Sequence, residues 1–328
     1  MRGVSGARRG LNYVIAAAVW ICPAALWAQN YPSKSIRYII PFDPGASPDV
    51  VGRILAERLT RLWGQQVVVE NRVGAAGTLG SAFVAKAAPD GYTLLQANIA
   101  SNAIAVSLYS KMPYDQVRDF APITRIGKTP NIILVHPSVP FKSIKQLVAY
   151  AKANPGRLSY SAALAGTSPQ LTMELLKLQM KFDIVHIPYR LGVQAITDTI
   201  GGQIPINVSN FPAVIGSVQT GRLRALAVTS AQRAALLPDV PTIHESGVPG
   251  FEVTSWYGVV APAGTPAPIL DKLNADITSV LRLPEIKQRL DELVVPPSPT
   301  SREEFDQFIR AEIARWAQVV KDAGIPKQ

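Results

Sequence analysis

The sequence predicts an α/β protein built from two lobes, each with a mixed or mostly parallel sheet covered by helices. Three observations support this fold class. Strand-like and helix-like patterns alternate along the chain from residue 31 onward. The length of 328 residues is long for one compact core and suits two lobes. Apolar residues make up 48% and charged residues 17%, a balance typical of a globular protein.

Residues 1–28 are predicted to be a secretory signal peptide. The segment begins with three arginines, continues through an almost wholly apolar run over residues 14–27, and ends on the small residue Ala28. The apolar run is too short and wrongly flanked for a stable membrane span. The sequence therefore predicts an exported protein whose mature chain begins near residue 29.

The composition of the mature chain argues against a nucleic-acid-binding protein. Loss of three arginines and no acid lowers the formal charge from +10 to +7. No run of Lys or Arg stands out, so the basic stripe of a nucleic-acid-binding protein is missing. A mildly positive surface does suit anionic small molecules. The single cysteine, Cys22, lies in the signal segment, so the mature chain has no disulfide and relies on its core.

In the first part of the chain, the periodicity predicts strands at residues 36–40, 67–69 and 92–96, and helices at residues 49–62 and from the 74–80 turn to about residue 88. Residues 98–102 are predicted to form a polar loop at the carboxyl end of the third strand. Ligands bind at that edge of open α/β sheets. Residues 119–129 are predicted to be irregular and to lead into a crossover between the lobes.

In the second part, strands are predicted at residues 132–135, 158–161, 182–187, 204–208 and 223–228, and helices at residues 143–153, from 171 and at 193–200. Residues 209–212 are predicted to form a second polar loop. A long strand at residues 251–261 is expected to run back to the first lobe. Two helices are expected to close the chain, and a Ser301–Glu304 capping box opens the last one.

Two turns that join a strand to a helix form the candidate binding site. The first reads Phe42-Asp43-Pro44-Gly45-Ala46-Ser47-Pro48-Asp49, in which Ser47 suits the N-cap and Pro48 the first helical position. The second, Gly166-Thr167-Ser168-Pro169-Gln170, repeats the Ser-Pro start. Helix starts attract anions, so two of them facing each other across a cleft would hold a carboxylate from both sides. The alternative, that both turns are ordinary connections, stays open at this point.

Six stretches of the mature chain together carry a family resemblance. They read Tyr31-Pro32-Ser33-Lys34-Ser35-Ile36-Arg37, Val69-Glu70-Asn71-Arg72, Ala87-Ala88-Pro89-Asp90-Gly91-Tyr92-Thr93-Leu94, His186-Ile187-Pro188-Tyr189, Leu237-Pro238-Asp239-Val240-Pro241-Thr242 and Ala261-Pro262-Ala263-Gly264-Thr265-Pro266. In this order they resemble the periplasmic receptors of the tripartite tricarboxylate transporter type, also called Bordetella uptake gene receptors.

The resemblance implies a type II periplasmic-binding fold, or Venus flytrap, with two mixed sheets flanked by helices, two crossing strands and closure on a ligand. Lobe 1 would comprise residues 29–130 and 252–328, and lobe 2 residues 131–251. The implied ligand-binding residues are Phe42, Pro44, Gly45, Ala46, Ser47, Asp49, Asn98, Ser101, Gly166, Thr167, Ser168, Gln170, Tyr189, Ser209 and Asn210. The ligand would be a small organic carboxylate: a di- or tricarboxylate, an amino acid or an aromatic acid. We expect a monomer without cofactor or metal that delivers this ligand to membrane transporter subunits.

The chain departs from the family pattern at three places. Ala46 stands where the family usually has a second glycine, Gln170 stands where histidine is frequent, and Arg190-Leu191 follows Tyr189 in place of Lys-Gly. These departures leave the identity of the ligand open.

Several side chains have two readings each. Asp49 would contact the ligand or stabilise the first turn of its helix. Tyr189 would reach the ligand or pack beside it, and Arg190 would pair with a second carboxylate or lie in solvent. Trp256 and Tyr257 are expected to pack at the hinge rather than stack on a ligand.

Signatures of catalysis are missing from the sequence. It has no Gly-x-Ser-x-Gly elbow, phosphate loop, His-Glu-x-x-His motif or Cys/His cluster. A hydrolase that used Ser47 or Ser168 would need a base, and none is evident. We therefore predict a non-catalytic receptor. The alternatives are a sensor or adaptor for a membrane signalling partner, or an exported hydrolase.

Overall fold

A computed structural model describes residues 31–162, 165–322, 324, 325 and 327, so the predicted signal peptide lies outside the described residues. The strands are β1 (Ile36–Ile40), β2 (Val67–Asn71), β3 (Thr93–Asn98), β4 (Phe120–Val135), β5 (Ser159–Ser161), β6 (Val185–Ile187), β7 (Ile206–Asn210), β8 (Arg224–Val228) and β9 (Thr254–Pro262). The helices are α1 (Ser47–Trp63), α2 (Thr78–Ala85), α3 (Ala105–Leu108), α4 (Ile144–Ala153), α5 (Ser168–Met180), α6 (Gly192–Ile200), α7 (Phe211–Gln219), α8 (Ala267–Leu281), α9 (Pro284–Asp291) and α10 (Arg302–Asp322).

The strands form two sheets that share β4. The first sheet has the order β2-β1-β3-β9-β4, and in the second β4 pairs with β7 and β8 while β5 lies between β7 and β6. Pairing of β1 with β2 and β3, and of β5 with β6 and β7, is parallel. Pairing of β9 with β3 and β4, and of β4 with β7 and β8, is antiparallel. The predicted α/β class with two mixed sheets is confirmed.

The strand β4 connects the two sheets. Residues 120–130 pair with β9, and residues 131–135 pair with β7 and β8. The prediction that residues 119–129 are irregular is wrong, because β4 runs from Phe120 to Val135. The strand includes Pro122, Gly127 and Pro130, which normally argue against a strand. Proline is tolerated in edge strands and at bulges, and the register of β4 against β9 shifts beside Pro122 and Gly127. The lobe division at residues 130 and 252 stays a prediction.

The predictions of polar loops at residues 98–102 and 209–212 are wrong, because each segment passes from the end of a strand directly into a helical turn or helix. Asn98 ends β3, and a π-helical turn (Ala100–Ile104) follows. The turn forms there because Asn98 Oδ1 accepts hydrogen bonds from the backbone N–H groups of Ala100 (2.9 Å) and Ser101 (3.2 Å). In the second case, Asn210 ends β7 and α7 begins at the next residue, since a proline suits the first helical turn.

Three helices close the chain, not the two predicted. The periodic segment after residue 266 divides at residues 282–283 into α8 and α9, because Pro284 cannot continue the hydrogen bonds of the preceding helix. The capping box of α10 is confirmed. Ser301 Oγ accepts from the backbone N–H of Glu304 at 3.1 Å, and Glu304 Oε2 accepts from that of Ser301 at 2.8 Å. None of the helices in the described residues is both long and apolar enough to cross a membrane.

The helix α10 packs on β9 and fixes its position. The Trp256 ring lies edge-on to the fully buried ring of Phe305, with centroids 5.9 Å apart, and its Nε1–H donates to Glu312 at 3.1 Å. Gly258 lies so close to Phe305 that a Cβ there would fall 2.2 Å from the ring. Side chains alternate between the faces of a strand, so Trp256 faces α10 while Tyr257 faces the other way.

Candidate functional site

A cavity of about 50 Å³ lies between the two sheets, with room for a few water molecules at roughly 10–15 Å³ each. Eight of the predicted site residues line it: Phe42, Ala46, Ser47, Asn98, Thr167, Ser168, Ser209 and Asn210. The wall also contains residues that were not among the predicted ligand-binding residues, including Asp43, Gly192, Val193, Ile196, Asn207, Ser255 and Tyr257. The two Ser-Pro turns thus meet at one cavity.

The first turn brings the N-terminus of α1 to the cavity. The backbone N–H of Ala46 closes the turn on the carbonyl of Asp43 at 3.1 Å, and the carbonyl of Ala46 accepts from the N–H of Val50 at 3.0 Å. Ala46 is therefore the N-cap, and the prediction of Ser47 at that position is wrong. Ser47 is the first helical residue, and its hydroxyl lies 3.4 Å from the carbonyl of Asn210 in the second sheet.

The carboxylate of Asp49 stabilises this turn from outside the cavity. It accepts hydrogen bonds from the backbone N–H of Gly45 (2.9 Å), the guanidinium of Arg53 (2.9 Å) and the amide of Asn71 (2.8 Å). Burial acts to raise the pKa of Asp49, but these hydrogen bonds outweigh it and hold the pKa below its ordinary value. Asp49 does not line the cavity, so its placement favours the structural reading over ligand contact.

The second turn brings the N-terminus of α5 to the same cavity. The backbone N–H of Leu171 donates to the carbonyl of Thr167 at 3.0 Å, which makes Thr167 the N-cap and Ser168 the first helical residue. Ser168 is 1% exposed, and its hydroxyl points toward β4 and β9. Both helices therefore present a serine at the same helical position to the cavity.

A chain of hydrogen-bonded polar side chains connects the second turn to β4 and β9. The hydroxyl of Ser168 lies 2.5 Å from that of Ser255 in β9 and 3.3 Å from Asn131 Oδ1 in β4. The amide of Asn210 donates to both Ser255, at 2.9 Å, and Asn131. Asn131 in turn donates to Thr172 Oγ1 at 2.7 Å. Elements of both sheets are joined at Asn131, which is 0% exposed.

Two buried polar atoms in the cavity wall lack a hydrogen-bond partner among the described residues: the hydroxyl of Tyr257 and Oδ1 of Asn207. The Tyr257 hydroxyl lies near Ser47, but the pair does not reach hydrogen-bond geometry. Burial raises the pKa of Tyr257 above its ordinary range, so the phenol stays protonated and can donate. Unpaired buried polar atoms are costly, which points to a ligand that supplies their partners.

Seven predicted site residues lie outside the cavity lining: Pro44, Gly45, Asp49, Ser101, Gly166, Gln170 and Tyr189. Some of them support its walls. Ser101 Oγ accepts from the amide of Asn98 at 3.0 Å, and Gln170 Oε1 accepts from the N–H of Gly166 at 3.3 Å. The Tyr189 hydroxyl donates to Asp198 at 2.7 Å. These side chains are occupied by protein partners.

The three histidines lie away from the cavity in the described fold. His136 Nδ1 pairs with the Ser138 hydroxyl at 2.7 Å, and His244 Nδ1 accepts from the N–H of Gly250 at 2.9 Å. His186 stacks near Tyr160, and burial lowers its pKa. None of them lines the cavity, and the described residues contain no cluster of His, Cys, Asp and Glu that could hold a metal.

Comparison with known proteins decides the family. The model of the tripartite tricarboxylate transporter family receptor matches residues 51–325. The chain belongs to this family. The tripartite tricarboxylate receptors are periplasmic solute-binding proteins, so the resemblance found in the sequence is confirmed.

Two relatives show how closely the family is matched over its length. Protein BugT of Bordetella pertussis is 36% identical over 302 residues, which is 92% of this chain and 93% of BugT. A protein from the tcbD-tcbE intergenic region of Pseudomonas sp. strain P51 is 35% identical over 318 residues, 96% of this chain and 94% of the relative.

Solved structures agree on the fold. The R. palustris protein Rpa4515 with adipate superposes with a TM-score of 0.88 at 34% identity, covering 91% of this chain and 100% of that one. The periplasmic binding protein BugD superposes at 0.87 and 34% identity with the same coverage. MatC from Rhodopseudomonas palustris with bound malate superposes at 0.83 and 30% identity, covering 88% and 100%. The periplasmic-binding fold predicted from the sequence is therefore confirmed.

Proposed function

We propose that this protein captures a small organic carboxylate in the cavity between its two sheets and delivers it to the membrane subunits of a tripartite tricarboxylate-type transporter. The observation that supports this most is the meeting of two helix N-termini at one cavity, with Ser47 and Ser168 in its wall. A helix start offers unpaired backbone N–H groups and about half a positive charge. Two such starts suit one carboxylate.

The cavity would bind the anion through uncharged hydrogen-bond donors. The unpaired hydroxyl of Tyr257 adds to the backbone donors, and no lysine or arginine is among the described residues of the wall. Donors that are already oriented and removed from water bind an anion strongly without a formal counter-charge. The adipate and malate bound by two relatives of similar fold support a carboxylate as the ligand class.

The signal segment and the lobes complete the proposal. We propose that residues 1–28 act as the export signal and that the lobes comprise residues 29–130 with 252–328, and 131–251. Closure of the lobes around the ligand completes the cavity, since Ser47 and Asn210 meet across it. Binding rather than catalysis is supported by the hydrogen bonds of the two serines. The hydroxyls of Ser47 and Ser168 pair with Asn210, Asn131 and Ser255, and not with a histidine or a carboxylate that could act as a base. A sensor would use the same cavity and differ only in its membrane partner.

A thermal-shift panel tests the proposed ligand class. We expect at least one carboxylate among mono-, di-, amino and aromatic acids to raise the melting temperature of the mature protein. A ligand at 100 times its Kd stabilises by about 2.7 kcal/mol, which is a shift of several degrees. The matching primary amide of each acid is the control and should produce no shift. If amides or neutral sugars stabilise the protein and no acid does, the proposal is wrong.

Removal of the unpaired Tyr257 hydroxyl should change protein stability and ligand affinity in opposite directions. We expect Tyr257→Phe to raise the stability of the ligand-free protein by about 1 kcal/mol, because it removes an unsatisfied buried group. The same change should weaken carboxylate binding roughly tenfold, since one hydrogen bond to the ligand is lost. Urea unfolding and calorimetric titration measure the two effects. Tyr150→Phe, at an exposed ring, is the matched control, and equal affinity in both variants would remove Tyr257 from the site.

A further inference from the structure

One charged side chain lies in the wall of the cavity among the described residues. Asp43 is 4% exposed and comes from the first Ser-Pro turn, beside the helix start that would hold the ligand carboxylate. A buried carboxylate next to an anion-binding position is repulsive unless something else in the cavity is attracted to it. Asp43 therefore constrains which carboxylates the cavity accepts.

The protein itself uses little of the acceptor capacity of Asp43. Its Oδ2 accepts one hydrogen bond, of 3.2 Å, from the backbone N–H of Val193 in the first turn of α6 on the other side of the cavity. A carboxylate offers about four acceptor sites. The remaining ones are available to a ligand, because Asp43 is part of the cavity wall.

A second acceptor without a donor lies in the same wall. The amide nitrogen of Asn207 donates to Ser161 Oγ at 2.9 Å, which orients the side chain. Its Oδ1 is buried and has no partner among the described residues. Asn207 belongs to β7 and Val193 to α6, two elements that pack on each other. The cavity thus contains donors at the helix starts of α1 and α5, and two acceptors with unused capacity, Asp43 and Asn207.

We propose that the ligand is an amino carboxylate whose ammonium group is recognised by Asp43 and Asn207 while its carboxylate lies at the two helix starts. This deepens the proposed function and rests on it. A second carboxylate about 5 Å from Asp43 would weaken binding on the order of a hundredfold at an effective dielectric constant near 20, whereas an ammonium there would strengthen it. An apolar tail would leave the acceptors unpaired. The charge and hydrogen-bond pattern of the wall therefore selects a zwitterion.

Calorimetric titration of the mature protein with acids matched in length tests this. The first set is 4-aminobutyrate, butyrate and succinate, and the second is alanine, propionate and malonate. In the set whose length fits the cavity, we expect the amino acid to bind at least about tenfold more tightly than the other two acids. Asp43→Asn should abolish this preference by weakening the amino acid and strengthening the dicarboxylate. Asp306→Asn, on the exposed face of α10, is the matched control and should keep the wild-type preference.

Each outcome decides between the two proposals. If dicarboxylates or plain acids bind the wild-type protein more tightly than the amino acids, the inference is wrong while the carboxylate receptor stands. If none of the acids of any class binds, the proposed function fails as well. The wild-type comparison needs no variant, so a folding defect in Asp43→Asn leaves the test intact. Asn207→Leu provides a second check, since it should also reduce the preference for the amino acid.

Discussion

Asn131→Ala is expected to lower the free energy of unfolding by about 3 kcal/mol and to weaken ligand binding at least about tenfold. Asn131 is completely buried at the position where β4 passes from one sheet to the other. Its side chain accepts from Ser168 and Asn210 and donates to Thr172. Removal of one partner leaves buried polar groups unsatisfied, and each costs about 1–3 kcal/mol.

The effect of Asn131→Ala on binding has a separate cause. Ser168 loses one of the two partners that orient its hydroxyl at the start of α5, so the helix start becomes less well placed for the carboxylate. Urea unfolding and calorimetric titration measure both quantities. Asn154→Ala, at the exposed end of α4, should change neither by much. Full affinity in Asn131→Ala would show that the polar chain plays no part in holding the site.

Phe305→Ala is expected to lower the free energy of unfolding by about 3–5 kcal/mol, because it leaves a cavity where a fully buried ring packs. The ring contacts Trp256 and lies against Gly258, so it holds β9 against α10. The chemical denaturation midpoint measures the loss. Leu79→Ala, at a side chain that is 58% exposed, should be close to neutral.

A double substitution tests the close contact directly. Gly258→Ala alone should be destabilising, because its Cβ would fall 2.2 Å from the Phe305 ring and 2.9 Å from the carbonyl oxygen of Thr124. In the Phe305→Ala background the ring is gone, so the two shortest of the three nearest contacts disappear and the same change should cost less. Equal costs in both backgrounds would mean that the ring does not determine the choice of glycine.

Much of the fold was predictable because its signals are local. The Ser-Pro starts of α1 and α5 and the Ser301–Glu304 box each depend on a few consecutive residues, and the structure places helices at all three. The exact caps were less predictable. A serine before a proline suits the N-cap by propensity, yet the carbonyl bonds place Ala46 and Thr167 there, one residue earlier.

The parts of the site that the sequence did not predict depend on contacts between distant residues. Asp43 reaches Val193 across 150 positions of the chain, and no local pattern indicates that bond. Tyr257 was expected to pack at the hinge, and in the structure its side chain is part of the cavity wall, with a buried hydroxyl that lacks a partner. The crossing of β4 was obscured by Pro122 and Pro130, which normally argue against a strand.

A crystal structure of the mature protein with the acid that gives the largest thermal shift tests the central claim most directly. We predict that the carboxylate oxygens lie within hydrogen-bond distance of the backbone N–H groups at the starts of both α1 and α5, with Ser47 and Ser168 beside them. A carboxylate bound away from these two helix starts, or held by only one of them, would contradict the account.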